Sequence, residues 1–254
     1  PREATSAAAA AKMPGYLTPE ERPDSIALLP PPPAAGSAEW AAGEAVYRNL
    51  YPLQETARWQ LAASDANLKF PGAATVFSCA IGIEVTEVTT PRLYALLQRV
   101  IIDAGQSTAK AKQHYNSNRP FEVTGDPTCV PEDEKVLRGN ASYPSGHASL
   151  GYVWGEVFAE LLPESAGVAR ARAYEFGQSR VICRAHRQSD VDAGRTVGAA
   201  VFERLHQDPE FVADMAAAKV EVKKARKHGP PVGRDCRAET AAFRATAPAQ
   251  QQRQ

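Results

Sequence analysis

No uninterrupted apolar run in this chain of 254 residues approaches the roughly 20 residues that span a bilayer, so no transmembrane helix is expected. Neither sign of charge is in excess: 29 Lys and Arg stand against 29 Asp and Glu, and the net charge is zero. Nucleic acid or an anionic membrane is therefore not expected as the main partner, and any attraction for anions has to be local. There are only four cysteines, Cys79, Cys129, Cys183 and Cys236, with no CxxC pair and no Cys/His cluster at zinc spacing. No metal and no cofactor is expected. The even count at wide spacing leaves two readings open: two disulfides in an oxidising compartment, or four buried thiols in a cytosolic protein. No internal repeat and no convincing strand-period run is present.

What the chain does have is apolar residues at helical spacing. At 44% hydrophobic and 23% charged it can bury a real core. Its length suits one large domain or two small ones. Residues 1–35 read as an extended, Pro-rich arm: Pro1–Lys12 is low in complexity, Pro14 and Pro23 break it, and Pro30–Pro33 should be extended. The start at Pro1 rather than Met fits a mature protein whose signal peptide has been removed, or a trimmed chain. Residues 36–228 read as one all-α domain. Residues 229–254 read as a partly disordered tail, because Gly229-Pro230-Pro231 ends regular structure and Ala245–Gln254 is rich in Gln and Ala.

Within the domain, Ser37 is a plausible N-cap for a helix over about 38–50, which Pro52 interrupts before a second piece through Ala66. The spacing of Leu93, Leu96, Leu97, Val100, Ile101 and Ala104 predicts one helix over 91–111, with Lys112 near its C-terminus. Further helices are expected over about 148–161, 165–178, 190–205 and 208–227. Trp154 and the other apolar stripes read as core. Gly194 and Gly198 would permit close helix–helix approach.

Three short blocks carry the chemistry: Lys112-x6-Arg119-Pro120, Pro144-Ser145-Gly146-His147, and Ser179-Arg180-x5-His186-x3-Asp190. Breaking a phosphate ester without a metal requires cations on the non-bridging oxygens, an in-line nucleophile, and a proton for the leaving alkoxide. Lys112, Arg119 and Arg180 meet the first demand, since Arg offers a planar fork and Lys a point charge. The backbone N–H groups of Ser145 and Gly146, with the Ser145 hydroxyl, are expected to cradle an oxygen at a helix start. His186 is the candidate nucleophile, with Asp190 four residues on to hold one ring nitrogen, on one helix face if a helix has begun there. His147 is the candidate general acid. Nearby cations should depress the histidine pKa values, so an acidic optimum is expected. Ser179 reads as a structural hydroxyl.

These blocks make the chain resemble the bacterial class A non-specific acid phosphatases, within the type 2 phosphatidic acid phosphatase and vanadium haloperoxidase superfamily. Their signature has the form K-x6-RP, PSGH, SR-x5-H-x3-D, and every fixed position is met here. The likeness extends over roughly residues 24–227, including Ala63 through Leu68, Ile102-Asp103-Ala104-Gly105 and Gly177 through Cys183. The resemblance implies an all-helical bundle and a periplasmic or secreted, metal-independent phosphomonoesterase. It implies small-molecule phosphomonoesters as substrates, some phosphotransfer to alcohols, and a homodimer. It implies phosphate contacts from Lys112, Arg119, Ser145, Gly146, His147 and Arg180, the nucleophile His186, the acid His147 and the orienting Asp190. Cys129 and Cys183 match the family's cysteine pair; Cys79 and Cys236 look additional, and are expected to pair and pin the C-terminal tail.

Two departures stand out. Thr commonly follows the PSGH block, where this chain has Ala148. Around the nucleophile the family commonly reads Cys-Gly-Tyr-His-Trp, where this chain has Cys183-Arg184-Ala185-His186-Arg187. Arg184 and Arg187 either point to solvent or favour substrates with extra negative charge, such as nucleotides. The alternatives to a phosphatase are a vanadium-dependent haloperoxidase, which uses the same residues to hold vanadate, a lipid phosphatase, and a phosphate-binding module without turnover.

Overall fold

The computed structural model describes residues 13–228 and 233–244. The low-complexity Pro1–Lys12, the helix-ending Gly229-Pro230-Pro231 and the Gln/Ala-rich Ala245–Gln254 lie outside the described residues. Among the described residues there is no strand. The chain runs through α1 (Ser25–Leu28), α2 (Ala38–Asn49), α3 (Ala57–Ala66), α4 (Ser78–Ile81), α5 (Pro91–Gln106), α6 (Ala109–Tyr115) and α7 (Pro120–Thr124). It continues through α8 (Glu134–Arg138), α9 (Gly146–Leu161), α10 (Ala166–Ile182), α11 (Gln188–Leu205), α12 (Pro209–Ala225) and α13 (Cys236–Arg244). The protein is all-α. None of the described helices is long and apolar enough to cross a membrane.

Local chemistry explains the boundaries. The Ser37 hydroxyl accepts from Trp40 N at 3.1 Å and caps α2. Pro52 falls in a 3-10 turn, Tyr51–Leu53, and Thr56 then caps α3. The single helix expected over 91–111 is two helices. Ser107 and Thr108 return their hydroxyls to the carbonyls of Asp103 (2.8 Å) and Gly105 (2.7 Å). Such back-bonding competes with the helical ladder, and the chain turns there. Lys112 therefore sits near the end of α6, not of a long α5. α10 continues to Ile182, which brings Arg180 into its last turn.

α9 is the axis of the bundle. Its buried residues, among them Leu150, Val153, Trp154, Val157, Phe158 and Leu161, point all round the helix. α5, α10 and α11 pack around it, α12 lies on α5, and α3 lies on α10. Trp154 is core, and its Nε1 donates to Leu97 O at 3.2 Å. Gly194 and Gly198 bring α11 against α9. A Cβ at Gly194 would stand 2.3 Å from Ser145 O, and one at Gly198 would stand 2.6 Å from Ser149 O. The starts of α9 and α11 therefore meet, and Ser145 N donates to Asp190 O at 2.8 Å.

Both ends of the described chain are tied to this bundle. Asp103 of α5 accepts from the backbone N–H groups of Tyr16 (2.8 Å) and Leu17 (3.0 Å), both buried. The described part of the 229–254 segment contains α13, which packs on α3. Two disulfides are present, Cys129–Cys183 and Cys79–Cys236; the second fastens the start of α13 to α4.

Candidate active site

The three sequence blocks converge on one cavity of about 340 Å³. Its wall includes Lys112, Arg119, Gly146, His147, Arg180 and His186, with Leu68, Ile101, Leu137 and Leu150 on its apolar side. Ser145 and Asp190 stand just behind that wall, both buried.

His186 precedes α11 instead of lying on it. It belongs to a turn in which Ala185 N and His186 N both donate to Arg180 O, at 3.0 and 3.2 Å. The expected helical spacing of His186 and Asp190 is thus corrected: Asp190 is the third residue of α11 and reaches back to the turn. Its Oδ2 accepts from Arg187 N at 2.9 Å and faces His186 Nδ1 at 3.4 Å. On the other ring edge, Arg119 Nη1 stands 3.0 Å from His186 Nε2. A guanidinium can only donate, so Nε2 carries the lone pair and Nδ1 the proton. This is the tautomer that a nucleophilic Nε2 requires.

Ser142 was not anticipated. Its buried hydroxyl donates to Asp190 Oδ2 at 2.5 Å and lies 3.4 Å from His186 Nδ1. Its signal in the sequence is its place two residues before Pro144, which says nothing about a partner 48 residues away.

The cations are held by backbone carbonyls. Lys112 Nζ donates to Ala141 O and, at 3.2 Å, to Ser142 O. Arg119 Nε donates to Leu137 O (3.1 Å) and Asn140 O (2.9 Å), and its Nη1 to Ala185 O (2.9 Å). Arg180 is the least satisfied. It makes one weak contact, 3.9 Å to Cys183 Sγ, and its buried Nε has no partner among the described residues. A buried guanidinium left with free donors is a ready receptor for an anion.

Ser145 caps α9, its Oγ accepting from Ala148 N at 3.3 Å. Its own N–H is occupied by Asp190 O, so the expected cradle is corrected by one residue. The amides at the helix start, Gly146 and His147, are the ones without intrahelical partners. His147 Nε2 donates to Ala66 O at 3.1 Å, because a carbonyl can only accept. Its Nδ1 is left as the nitrogen that can pass a proton to a substrate.

Burial sets the electrostatics. It holds His186 well below the ordinary histidine value, with help from Arg119 and Lys112, and it does the same to His147, with help from Arg180. Lys112 is lowered to about 7, by burial and then by Arg119. Arg119 and Arg180 are each lowered to about 10, mainly by burial. Asp190 is raised by burial, against the bonds from Ser142 and Arg187 N–H. Among the described residues no group of three His, Cys, Asp or Glu side chains is placed to hold a metal ion.

Arg184 and Arg187 do neither of the things expected of them. Both are buried and neither lines the cavity. Arg184 stacks on Tyr51 (4.4 Å) and Trp59 (5.0 Å) and donates to Gln54 Oε1 at 2.8 Å. Arg187 stacks on Trp40 (4.0 Å), pairs with Glu44 (3.3 Å) and donates to Asn118 O (2.9 Å). They lock the turn that carries His186 to α2 and to the segment leading into α3.

An all-helical bundle that centres cations and a tautomer-fixed histidine on one cavity defines a class of phosphate-handling protein. The comparisons agree: the model of the PAP2 superfamily matches residues 91–211. A non-specific acid phosphatase from Providencia stuartii is 43% identical over 213 residues, covering 84% of this chain and 86% of the relative. One from Salmonella typhimurium is 40% identical over 82% of this chain and 83% of its own. An acid phosphatase from Zymomonas mobilis is 34% identical over 80% and 77%. The chain belongs to the bacterial non-specific acid phosphatases of the PAP2 superfamily.

Proposed function

We propose that this chain is a metal-independent acid phosphatase that hydrolyses small phosphomonoesters through a phosphohistidine at His186. One observation carries the reading: His186 Nε2 bears the lone pair, held between Asp190 and Arg119, at the wall of a cavity rich in cations.

In this reading, the substrate phosphate settles between Lys112, Arg119, Arg180 and the Gly146 and His147 amides. Its oxygens take over the Arg119 donor that faces His186 Nε2 in the free site. Nε2 then attacks phosphorus while the bond to the ester oxygen breaks. The electron pair leaves on that oxygen, and His147, entering the step as the imidazolium with its Nε2–H held by Ala66 O, gives that oxygen the proton on Nδ1 and is left neutral. Water attacks the phosphohistidine next, the P–N bond electrons return to Nε2, and the water proton passes to His147. An alcohol in place of water gives phosphotransfer by the same step. The cations supply the charge stabilisation that a metal provides elsewhere.

The reading includes a periplasmic or secreted location, supported by two disulfides of the kind formed in oxidising compartments. It includes a homodimer, supported by the family resemblance alone. The test is release of p-nitrophenol from its phosphate ester at mildly acidic pH with EDTA present. Turnover survives EDTA and disappears in His186→Ala; activity that EDTA abolishes, or that persists without His186, overturns the reading.

A further inference from the structure

The proposed proton donor His147 lies beside the Phe176 ring, 5.9 Å between centroids, and its Nε2 donates to a backbone carbonyl, Ala66 O, at the last residue of α3. What holds that carbonyl in place is its neighbour in the chain. Asp65 is fully buried, and its carboxylate accepts a fork from Arg172, at 2.5 Å to Oδ1 and 3.2 Å to Oδ2. The Ser179 hydroxyl donates to the same Oδ2 at 2.6 Å. Ser179 precedes the phosphate cation Arg180. One carboxylate therefore ties the tether of the acid and the seat of a phosphate clamp to a single block.

The pattern has a helical logic. Asp65 and Arg58 lie two turns apart on one face of α3, and Arg172 and Ser179 lie two turns apart on α10. Arg58 closes the other end, donating to Ser179 Oγ at 3.0 Å and to Glu175 Oε2 at 3.0 Å. Arg172 is also paired with Glu239 of α13 at 3.3 Å. None of these side chains lines the cavity, so none touches the substrate.

From this geometry we infer that Asp65 is a positioning residue for proton donation: through Ala66 O it fixes where His147 Nδ1 stands and which tautomer it carries. The inference rests on the acid role proposed for His147. If Asp65 loses its hold on Arg172 and Ser179, the end of α3 shifts and the acid loses its aim. Lys112, Arg119 and His186 stay in place: the two cations are anchored on carbonyls of residues 137–142 and of Ala185, and His186 is held by Arg119 and Asp190.

Proton donation matters in proportion to how poorly the leaving group departs. The experiment compares kcat/KM for p-nitrophenyl phosphate, whose phenolate leaves readily, with that for glycerol phosphate, whose alkoxide needs the proton. Asp65→Asn is expected to lose about tenfold or more on glycerol phosphate and about twofold or less on p-nitrophenyl phosphate. His147→Ala shows the same selectivity in stronger form. Equal losses on both substrates in Asp65→Asn, or no loss, overturn the inference while leaving the acid role intact. A His147→Ala variant without leaving-group selectivity overturns the acid role and this inference together. Should Asp65→Asn fail to fold, Arg172→Lys decides. It keeps the charge but not the fork, and an unchanged substrate ratio there rejects the positioning role.

Discussion

At the scale of single residues, the site is built from groups whose protonation burial has pushed the same way. Lys112 is the clearest, lowered to about 7. It is a cation below that pH and a neutral amine above it, so the grip on phosphate proposed for it weakens as pH rises through neutrality. Lys112→Met is therefore expected to cost about 2 kcal/mol, roughly thirtyfold in kcat/KM, at about pH 5.5. The variant and the wild type should converge above about pH 8, where Lys112 of the free enzyme has lost its proton. Parallel pH profiles of the two proteins would show that Lys112 stays charged throughout. His147 works in the same direction: half-buried in the cavity wall and desolvated beside Arg180, it holds its proton only on the acid side of an ordinary histidine. Both groups place the optimum below neutrality. That these residues would meet at one cavity was legible because each block is local in sequence and each residue type carries its own chemistry. Ser142 was not, because a serine gains meaning only from the Asp190 it meets. The burial of Arg184 and Arg187 was not legible either, because it depends on Trp40, Tyr51 and Trp59, more than 120 positions upstream. Arg184 also takes φ 63°, the left-handed region where the family pattern has Gly. That costs roughly 1–2 kcal/mol for an L-residue, and its aromatic stacking offsets the cost.

At the scale of elements, the helices themselves could be read from their apolar period, and the errors fell where polar side chains decide. Back-bonding by Ser107 and Thr108 splits the 91–111 helix, and the Asp190 carboxylate reaches out of α11 to a turn. Gly194 and Gly198 were legible as close-approach positions, and they offer a test of how element packing serves the site. A methyl at Gly194 meets Ser145 O at 2.3 Å and Ala148 Cβ at 2.9 Å; one at Gly198 meets Ser149 O at 2.6 Å and Tyr152 Cβ at 2.8 Å. Each alanine forces α11 and α9 apart and is expected to cost about 1–3 kcal/mol of stability. Gly194→Ala also disturbs the contact between Ser145 and Asp190 that registers the two helix starts, so its kcat falls well below that of Gly198→Ala. Denaturant melts with turnover on the folded fraction separate the two effects. Equal kcat in both variants would mean that the helix starts are registered by something other than this contact.

At the scale of the whole molecule, a chain of zero net charge has concentrated its uncompensated cations at one place, and folding has to bear that. His147 and His186 are both lowered below 6.5, so the unfolded chain binds more protons than the folded one as pH falls past that value. Their contribution to stability is therefore lost on acidification. Lys112, lowered from 10.5 to about 7, adds to stability as pH rises between those values, by the same sign. Asp190, raised above 3.8, works oppositely in its own window, one carboxylate against two histidines. The ligand-free protein is thus least comfortable at the acidic pH where its chemistry runs best, and a bound anion repairs this. An anion that binds only the folded state adds about 2.7 kcal/mol at a hundred times its Kd, or roughly 5–10 °C in Tm for a chain of this size. Sulfate is the probe of choice, since it keeps one charge across the range. Its Tm increment is expected to be larger at about pH 5.5 than at about pH 8.5, where Lys112 is neutral. The difference should shrink in Lys112→Met. Without sulfate, Tm should fall below about pH 6.5, and more gently in His147→Gln. A sulfate increment independent of pH would mean that the cavity's charge does not change across neutrality, and that burial leaves Lys112 a permanent cation.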